Sequence, residues 1–133
     1  AYQQVLNRDP NHAHANELMG LLLLERGEYD AAGAALQKAA TQAPNNPELL
    51  QALAKVWIAQ GNAPAALMTF RQISQLNPQD AGVYLQIGDL LKQQNNLTGA
   101  LEAYRQALSI KPNLPVAQKA IREILMTLPA THR

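Results

Sequence analysis

The 133-residue sequence contains no cysteine, which excludes a disulfide framework, a thiolate nucleophile and a zinc–sulfur site. Aromatic residues make up only 5% of the chain, and charged residues only 16%. The formal net charge is +1, whereas nucleic-acid-binding proteins usually carry a basic stripe. We therefore expect no nucleic acid among the partners of this chain.

Long apolar runs are missing as well. The longest aliphatic block, Leu21 to Leu24, ends at Glu25 and is far shorter than the roughly 18 residues that span a bilayer. The first residues do not resemble a signal peptide. We expect no membrane insertion, and the composition is compatible with either the cytoplasm or the periplasm.

The sequence does contain a proline at a fixed interval of 34 residues, at Pro10, Pro44, Pro78 and Pro112. A period of this length is the mark of a repeat architecture. Within each interval, two stretches with apolar residues at helical spacing are separated by a short turn at Gly27, Gly61-Asn62 or Asn95-Asn96. No stretch alternates with period two, so no strand is predicted.

The pattern predicts seven helices joined by short loops, which make neighbouring helices antiparallel. Asn11 is the residue expected to cap the first of them. The opening stretch from Ala1 to Asn7 is also helical in character. The seven predicted helices are Ala13 to Arg26, Tyr29 to Ala43, Pro47 to Gln60, Ala63 to Leu76, Ala81 to Gln94, Leu97 to Ile110 and Pro115 to Leu128.

Small and large residues recur at fixed positions of the 34-residue unit. The eighth position is small, at Gly20, Ala54 and Gly88. The twentieth position is always alanine, at Ala32, Ala66 and Ala100. The twenty-fourth position is large and apolar, at Leu36, Phe70 and Tyr104. With the closing prolines, this register resembles the tetratricopeptide repeat (TPR). The unit departs from the TPR pattern at the fourth position, where Asn16 and Leu50 replace the aromatic residue of that pattern.

The resemblance implies an all-α fold, an α-solenoid of antiparallel helix pairs that curls into a right-handed superhelix. It divides the chain into the second helix of a truncated preceding repeat (1–12), three repeats (13–46, 47–80 and 81–114) and a C-terminal capping helix with a tail (115–133). The chain is then expected to be a fragment of a larger, bacterial-type TPR protein.

In the TPR family, the first helix of each pair lines the concave face of the superhelix. The resemblance implies a candidate peptide groove that mixes aliphatic and charged side chains, formed by His14, Glu17, Leu21, Leu24, Gln51, Lys55, Ile58, Leu85, Asp89, Lys92 and Lys119. We interpret it as a groove for an extended peptide or a partner helix. Stacking contacts between adjacent units, or burial under the flanking half-units, would explain the same apolar residues equally well.

Some TPR proteins grip a carboxylate-bearing peptide terminus with a set of lysine, asparagine and arginine side chains. In this sequence the positions of that set hold Glu17, Leu21, Ala52, Gly82 and Gln86, or, one unit further on, Gln51, Lys55, Gln86, Val116 and Ala120. Neither frame carries the required cations, so we predict no such clamp. His12 and His14 lie two residues apart, which does not place them on one helix face, and no metal site is predicted.

The leading hypothesis is an interaction scaffold for a protein or peptide, with no catalytic residue, cofactor or metal of its own. A second hypothesis is an accessory segment of a bacterial envelope system for exopolysaccharide export or protein sorting, because the amide-rich, weakly charged composition resembles TPR proteins of such systems. A third is a regulatory appendage of an enzyme outside this sequence. The truncated N-terminal half-repeat also suggests self-association.

Overall fold

A computed structural model describes residues 12–128, which form seven α-helices and no strand. The helices are α1 (Ala13–Glu25), α2 (Tyr29–Gln42), α3 (Pro47–Ala59), α4 (Ala63–Leu76), α5 (Ala81–Gln93), α6 (Leu97–Ile110) and α7 (Pro115–Thr127). All seven predicted helices are present, and their ends differ from the prediction by at most one residue. The predicted helical stretch Ala1 to Asn7, with the self-association expected from it, lies outside the described residues.

The chain divides into two compact units, Ala1–Gln72 and Ile73–Arg133, which we call unit 1 and unit 2. The boundary falls within α4, near its C-terminal end. In unit 1, α1 packs against α2, α2 packs against α3, and α1 also contacts α3. In unit 2, α5 packs against α6 and α6 packs against α7.

Short polar side chains begin several of the helices. Asn46 accepts a hydrogen bond from the backbone N–H of Leu49 at 3.3 Å, and Asn96 accepts one from Gly99 at 3.0 Å. These bonds satisfy donors that a helix start leaves without a partner inside the helix. At α1 the N-cap is His12, whose Nδ1 accepts from the N–H of Ala15 at 3.1 Å. The cap expected from sequence, Asn11, lies outside the described residues.

The turn inside each helix pair contains one residue in the left-handed backbone region. These residues are Gly27 with φ 76°, Gly61 with φ 73° and Asn95 with φ 63°. The N–H of the following residue donates to a carbonyl five residues earlier, at 2.8 or 2.9 Å, in all three turns. This pattern is the Schellman motif, which ends a helix by satisfying its last carbonyl groups.

The core of unit 1 is built by alanine and aliphatic side chains of α2 and α3: Ala32, Leu36, Ala39, Leu49, Ala52, Leu53 and Val56. Helix α1 approaches this cluster closely at Gly20. A Cβ atom added there would lie only 2.5 Å from Leu36 Cγ, well inside normal van der Waals contact. The small residue at the eighth position of the repeat therefore makes room for the large one at the twenty-fourth.

Unit 2 repeats this arrangement with a larger partner. Tyr104 of α6 is 1% exposed, and its ring lies against the backbone of Gly88 on α5. Helix α7 contributes Ala117 and Ile124 to the buried side of the unit. Small residues thus set the helix spacing in both units, as the sequence pattern predicted.

Candidate functional site

The residues proposed for a groove on α1 follow one stripe of that helix. His14, Glu17, Leu21 and Leu24 are spaced by three, four and three residues, which places them on one face. His14 is exposed, Glu17 is half-buried and Leu21 is 38% exposed. Leu24 instead packs in part against the core cluster of unit 1. One edge of the stripe therefore serves packing, and the other meets solvent.

On α3, the candidate residues Gln51, Lys55 and Ile58 form a second stripe, spaced by four and three residues. All three are exposed, and the exposed fraction of Ile58 is 46%. Since α1 and α3 are in contact, the structure brings these two stripes to neighbouring helices within unit 1. We call the exposed residues His14, Leu21, Gln51, Lys55 and Ile58, with Glu17, the α1–α3 face.

The remaining candidates lie in unit 2. On α5, Leu85 is half-buried, and Asp89 and Lys92 are exposed. On α7, Lys119 is exposed. The two helices are bridged by an ion pair between Lys92 Nζ and Glu123 Oε2 at 3.4 Å. Both partners are about half exposed, so this pair contributes little stability. We define the α5–α7 face by Leu85, Asp89, Lys92, Val116, Lys119, Glu123 and Met126.

A hydrogen bond that the sequence analysis did not anticipate lies at the α5–α7 face. The hydroxyl of Tyr104 donates to Asp89 Oδ1 at 2.5 Å. Burial raises the pKa of Tyr104 well above its usual value, and the hydrogen bond to Asp89 and the negative charges of Asp89 and Glu123 act in the same direction. The hydroxyl therefore keeps its proton and remains a donor to the carboxylate. The only sequence signal was a tyrosine where the other repeats have Leu36 and Phe70.

Two further polar groups have structural roles. The side chain of His12 caps α1 through its Nδ1, so this nitrogen is occupied as a hydrogen-bond acceptor. In residues 12–128, no three His, Asp or Glu side chains are grouped as a metal site requires. Gln60 Nε2 donates to Asp30 Oδ1 at 2.7 Å and so links the end of α3 to the start of α2.

The hydropathy of the helices decides whether one of them could cross a membrane. Between residues 12 and 128, none of the helices has both the length and the apolar character that a bilayer-spanning helix requires.

Comparison with curated proteins finds two relatives of the same name. The chain is 31% identical over 93 residues to cellulose synthase operon protein C of Pseudomonas fluorescens (strain SBW25), an alignment that covers 70% of this chain and 7% of the relative. It is 39% identical over 70 residues to cellulose synthase operon protein C of Komagataeibacter xylinus, covering 53% of this chain and 5% of the relative. The chain thus spans only a small part of the length of these relatives.

Solved structures share the fold. The crystal structure of MamA has a TM-score of 0.83 and 25% identity, covering 95% of this chain and 74% of MamA. YrrB, described as a TPR protein with an unusual peptide-binding site, has a TM-score of 0.82 and 22% identity over 94% of this chain and 64% of YrrB. The first TPR of Spaghetti (RPAP3), bound to the HSP90 peptide SRMEEVD, has a TM-score of 0.72 and 23% identity, covering 86% of this chain and 90% of that one.

A family model supplies the remaining comparison. The tetratricopeptide repeat model matches residues 1–56, 23–80 and 58–124, so that its matches together cover most of the sequence. The all-α fold, the recurring helix pairs and the small-against-large packing at Gly20 and Gly88 are the structural counterpart of this match. The chain belongs to the tetratricopeptide repeat family.

Proposed function

We propose that this chain is a protein-interaction scaffold that binds an extended peptide or a partner helix on the first helices of its repeats, taken as residues 13–46, 47–80 and 81–114. Each unit offers one candidate surface, the α1–α3 face in unit 1 and the α5–α7 face in unit 2. Leu24 lies beside the α1–α3 face and contributes only the part of its side chain that is not packed against the core.

The observation that carries the proposal is the exposure of two large aliphatic side chains on neighbouring helices. Leu21 is 38% exposed and Ile58 is 46% exposed, on helices α1 and α3 that contact each other. Covering the exposed part of each side chain would contribute about 1 kcal/mol to binding. Lys55 and Glu17 on the same stripes can hydrogen-bond the polar groups of a peptide.

The comparisons support this type of function at the level of the fold. One TPR structure of similar fold contains a bound peptide, and another is described by its peptide-binding site. Repeat proteins that stack helix pairs bind extended partners because each pair adds one first helix to the surface. The partner of this chain is therefore proposed to be a protein or peptide segment.

The test starts from a phage-displayed library of random peptides selected on the full chain. Selected peptides are synthesised with a fluorescent label, and their Kd is measured by anisotropy. The double variant Leu21→Glu plus Ile58→Glu should weaken binding at least about tenfold, because each carboxylate would be desolvated against the peptide.

The matched control is Tyr29→Glu plus Met68→Glu, which adds the same charge at two other exposed apolar positions. This control should bind as wild type does. Failure to select any peptide, or equal binding by the Leu21 and Ile58 double variant, would argue against the α1–α3 face as a binding surface.

A second candidate function is a role in exopolysaccharide export, favoured by the 31% identity over 93 residues to cellulose synthase operon protein C. Here the chain would be the interaction segment of an envelope assembly. In-frame removal of this segment from its parent gene should then lower the amount of exported polysaccharide. Unchanged export with normal levels of the shortened protein would dismiss this role.

A further inference from the structure

We infer that the α5–α7 face selects peptides that carry an arginine or lysine, which the carboxylate of Asp89 binds while the hydroxyl of Tyr104 holds that carboxylate in position. This inference rests on the proposed peptide-binding function and adds the chemistry of the ligand. Tyr104 is a positioning residue here, because it acts on the ligand through Asp89.

The geometry of unit 2 makes this assignment possible. Tyr104 belongs to α6, and its ring can lie against α5 because Gly88 has no side chain there. The ring is buried, whereas Asp89, the next residue of α5, is exposed. The hydroxyl thus reaches from the buried side of the helix pair to a carboxylate at the surface. A carboxylate offers about four acceptor positions, so most of them remain available to a ligand.

Asp89 has no cationic partner among the described residues of the α5–α7 face. Lys92, one turn further along α5, is paired with Glu123 of α7, so these two charges offset each other. Among the described residues, no Lys, Arg or His forms an ion pair with Asp89. Lys119 lies on the same face without pairing to it. A guanidinium or ammonium group from a ligand would supply the cation that Asp89 lacks.

Comparison of the three repeats indicates that packing alone does not require this polar pair. At the positions of Tyr104 and Asp89, the first repeat has Leu36 and Leu21, and the second has Phe70 and Lys55. A phenylalanine is therefore accepted at the buried position in this chain. Burying a hydroxyl costs free energy unless it is hydrogen-bonded, so the buried hydroxyl of Tyr104 depends on Asp89 as its acceptor.

The α5–α7 face also carries exposed apolar side chains. Val116 is 62% exposed and Met126 is 77% exposed, and both belong to the α5–α7 face. A peptide that placed its basic side chain on Asp89 could cover these groups with neighbouring aliphatic or aromatic residues. Methionine adapts readily to such partners because its side chain is unbranched and flexible.

The experiment uses the random-peptide library selected on the full wild-type chain. The selected peptides should be enriched in Arg and Lys relative to the unselected library. For one such peptide and its Arg→Gln or Lys→Gln counterpart, Kd is measured with wild type, Asp89→Asn, Tyr104→Phe and the control Glu102→Gln. Glu102 is an exposed acid on α6, outside both faces.

We expect Asp89→Asn to raise the Kd of the basic peptide about tenfold, because a charge-assisted hydrogen bond is lost, and to raise the Kd of its Gln counterpart far less. Tyr104→Phe should raise the Kd of the basic peptide about threefold, because the carboxylate then samples more orientations. Glu102→Gln should bind both peptides as wild type does. A Tyr104 with a purely structural role would change the melting temperature and leave the preference for basic peptides intact.

The inference is overturned if selected peptides show no excess of Arg and Lys, or if Asp89→Asn affects both peptides equally; peptide binding as such would still stand. Wild-type binding by a folded Tyr104→Phe would refute the positioning role. If Tyr104→Phe does not fold, Asp89→Asn decides alone, because its amide oxygen still accepts from the tyrosine hydroxyl. A wild-type chain that selects no peptide refutes both proposals.

Discussion

Replacing Gly88 with alanine tests the packing on which unit 2 depends. An added Cβ would lie 2.7 Å from Cε1 of Tyr104 and 2.9 Å from both Cδ1 and Cζ. These distances are shorter than van der Waals contact, so the ring or the helix has to move. The ring is rigid, buried and held by the hydrogen bond to Asp89, and it has no flexible end that could yield.

Two opposing contributions set the size of the effect. Alanine is favoured over glycine inside a helix by about 1 kcal/mol. Overpacking costs about 1–3 kcal/mol, and a weakened hydrogen bond to a charged acceptor costs about 1 kcal/mol more. The net result should be a loss of about 1–3 kcal/mol in the free energy of unfolding, although the substitution improves helix propensity.

Thermal and urea denaturation followed by circular dichroism measure this effect. The melting temperature should fall by roughly 3–10 °C. The control is Gly82→Ala in the first turn of the same helix, where an added Cβ would meet only Asp80 Oδ1 at 3.3 Å. Its stability should equal or slightly exceed that of wild type. A Gly88→Ala variant as stable as wild type would refute the close approach of Tyr104 to α5.

Four further predictions concern other features. Asn95 has a φ of 63°, which glycine adopts at less cost than other residues. Asn95→Gly should therefore raise the melting temperature and increase the free energy of unfolding by up to about 1 kcal/mol, whereas Asn95→Ala should lower the melting temperature. Ala66→Leu should lose about 1–3 kcal/mol in urea denaturation, since Ala66 is fully buried; an unchanged midpoint would contradict the repeat register. The positions of the carboxylate clamp lack its cations, so the acidic peptide SRMEEVD should not bind tightly. In anisotropy titrations, a micromolar Kd, which corresponds to a binding free energy of about 8 kcal/mol, would contradict this. The raised pKa of Tyr104 stabilises the fold below about pH 10; stability should fall above that value in wild type and less in Tyr104→Phe.

The helices could be predicted from sequence because their limits depend on local chemistry. Pro47 begins a helix where its missing N–H has no consequence, and Gly27 and Gly61 supply the left-handed turns that end one. Asn95 adopts the same left-handed backbone conformation, although asparagine indicates such a turn less clearly than glycine does. The cap by His12 could not be predicted as readily, since histidine is not among the usual capping residues.

The candidate binding surface was harder to predict from the sequence than the helices were. Leu21 and Leu24 lie on one stripe, yet Leu21 is exposed and Leu24 is half-buried, because the position of α1 against the core decides which edge is covered. The bond between Tyr104 and Asp89 joins residues 15 positions apart on two helices. Helical periodicity gives the face of each side chain but not how far it reaches across a helix pair.

Among α1, α2 and α3, and among α5, α6 and α7, each helix packs chiefly against the helix next to it in the chain. Bringing such partners together closes only short loops, so little chain entropy opposes the first contacts. Chains with mainly local contacts fold quickly, within microseconds to milliseconds. Because no distant segment has to arrive first, the α1–α2 pair can start the folding of unit 1 and the α5–α6 pair that of unit 2, and within each unit the next helix then adds to its neighbour.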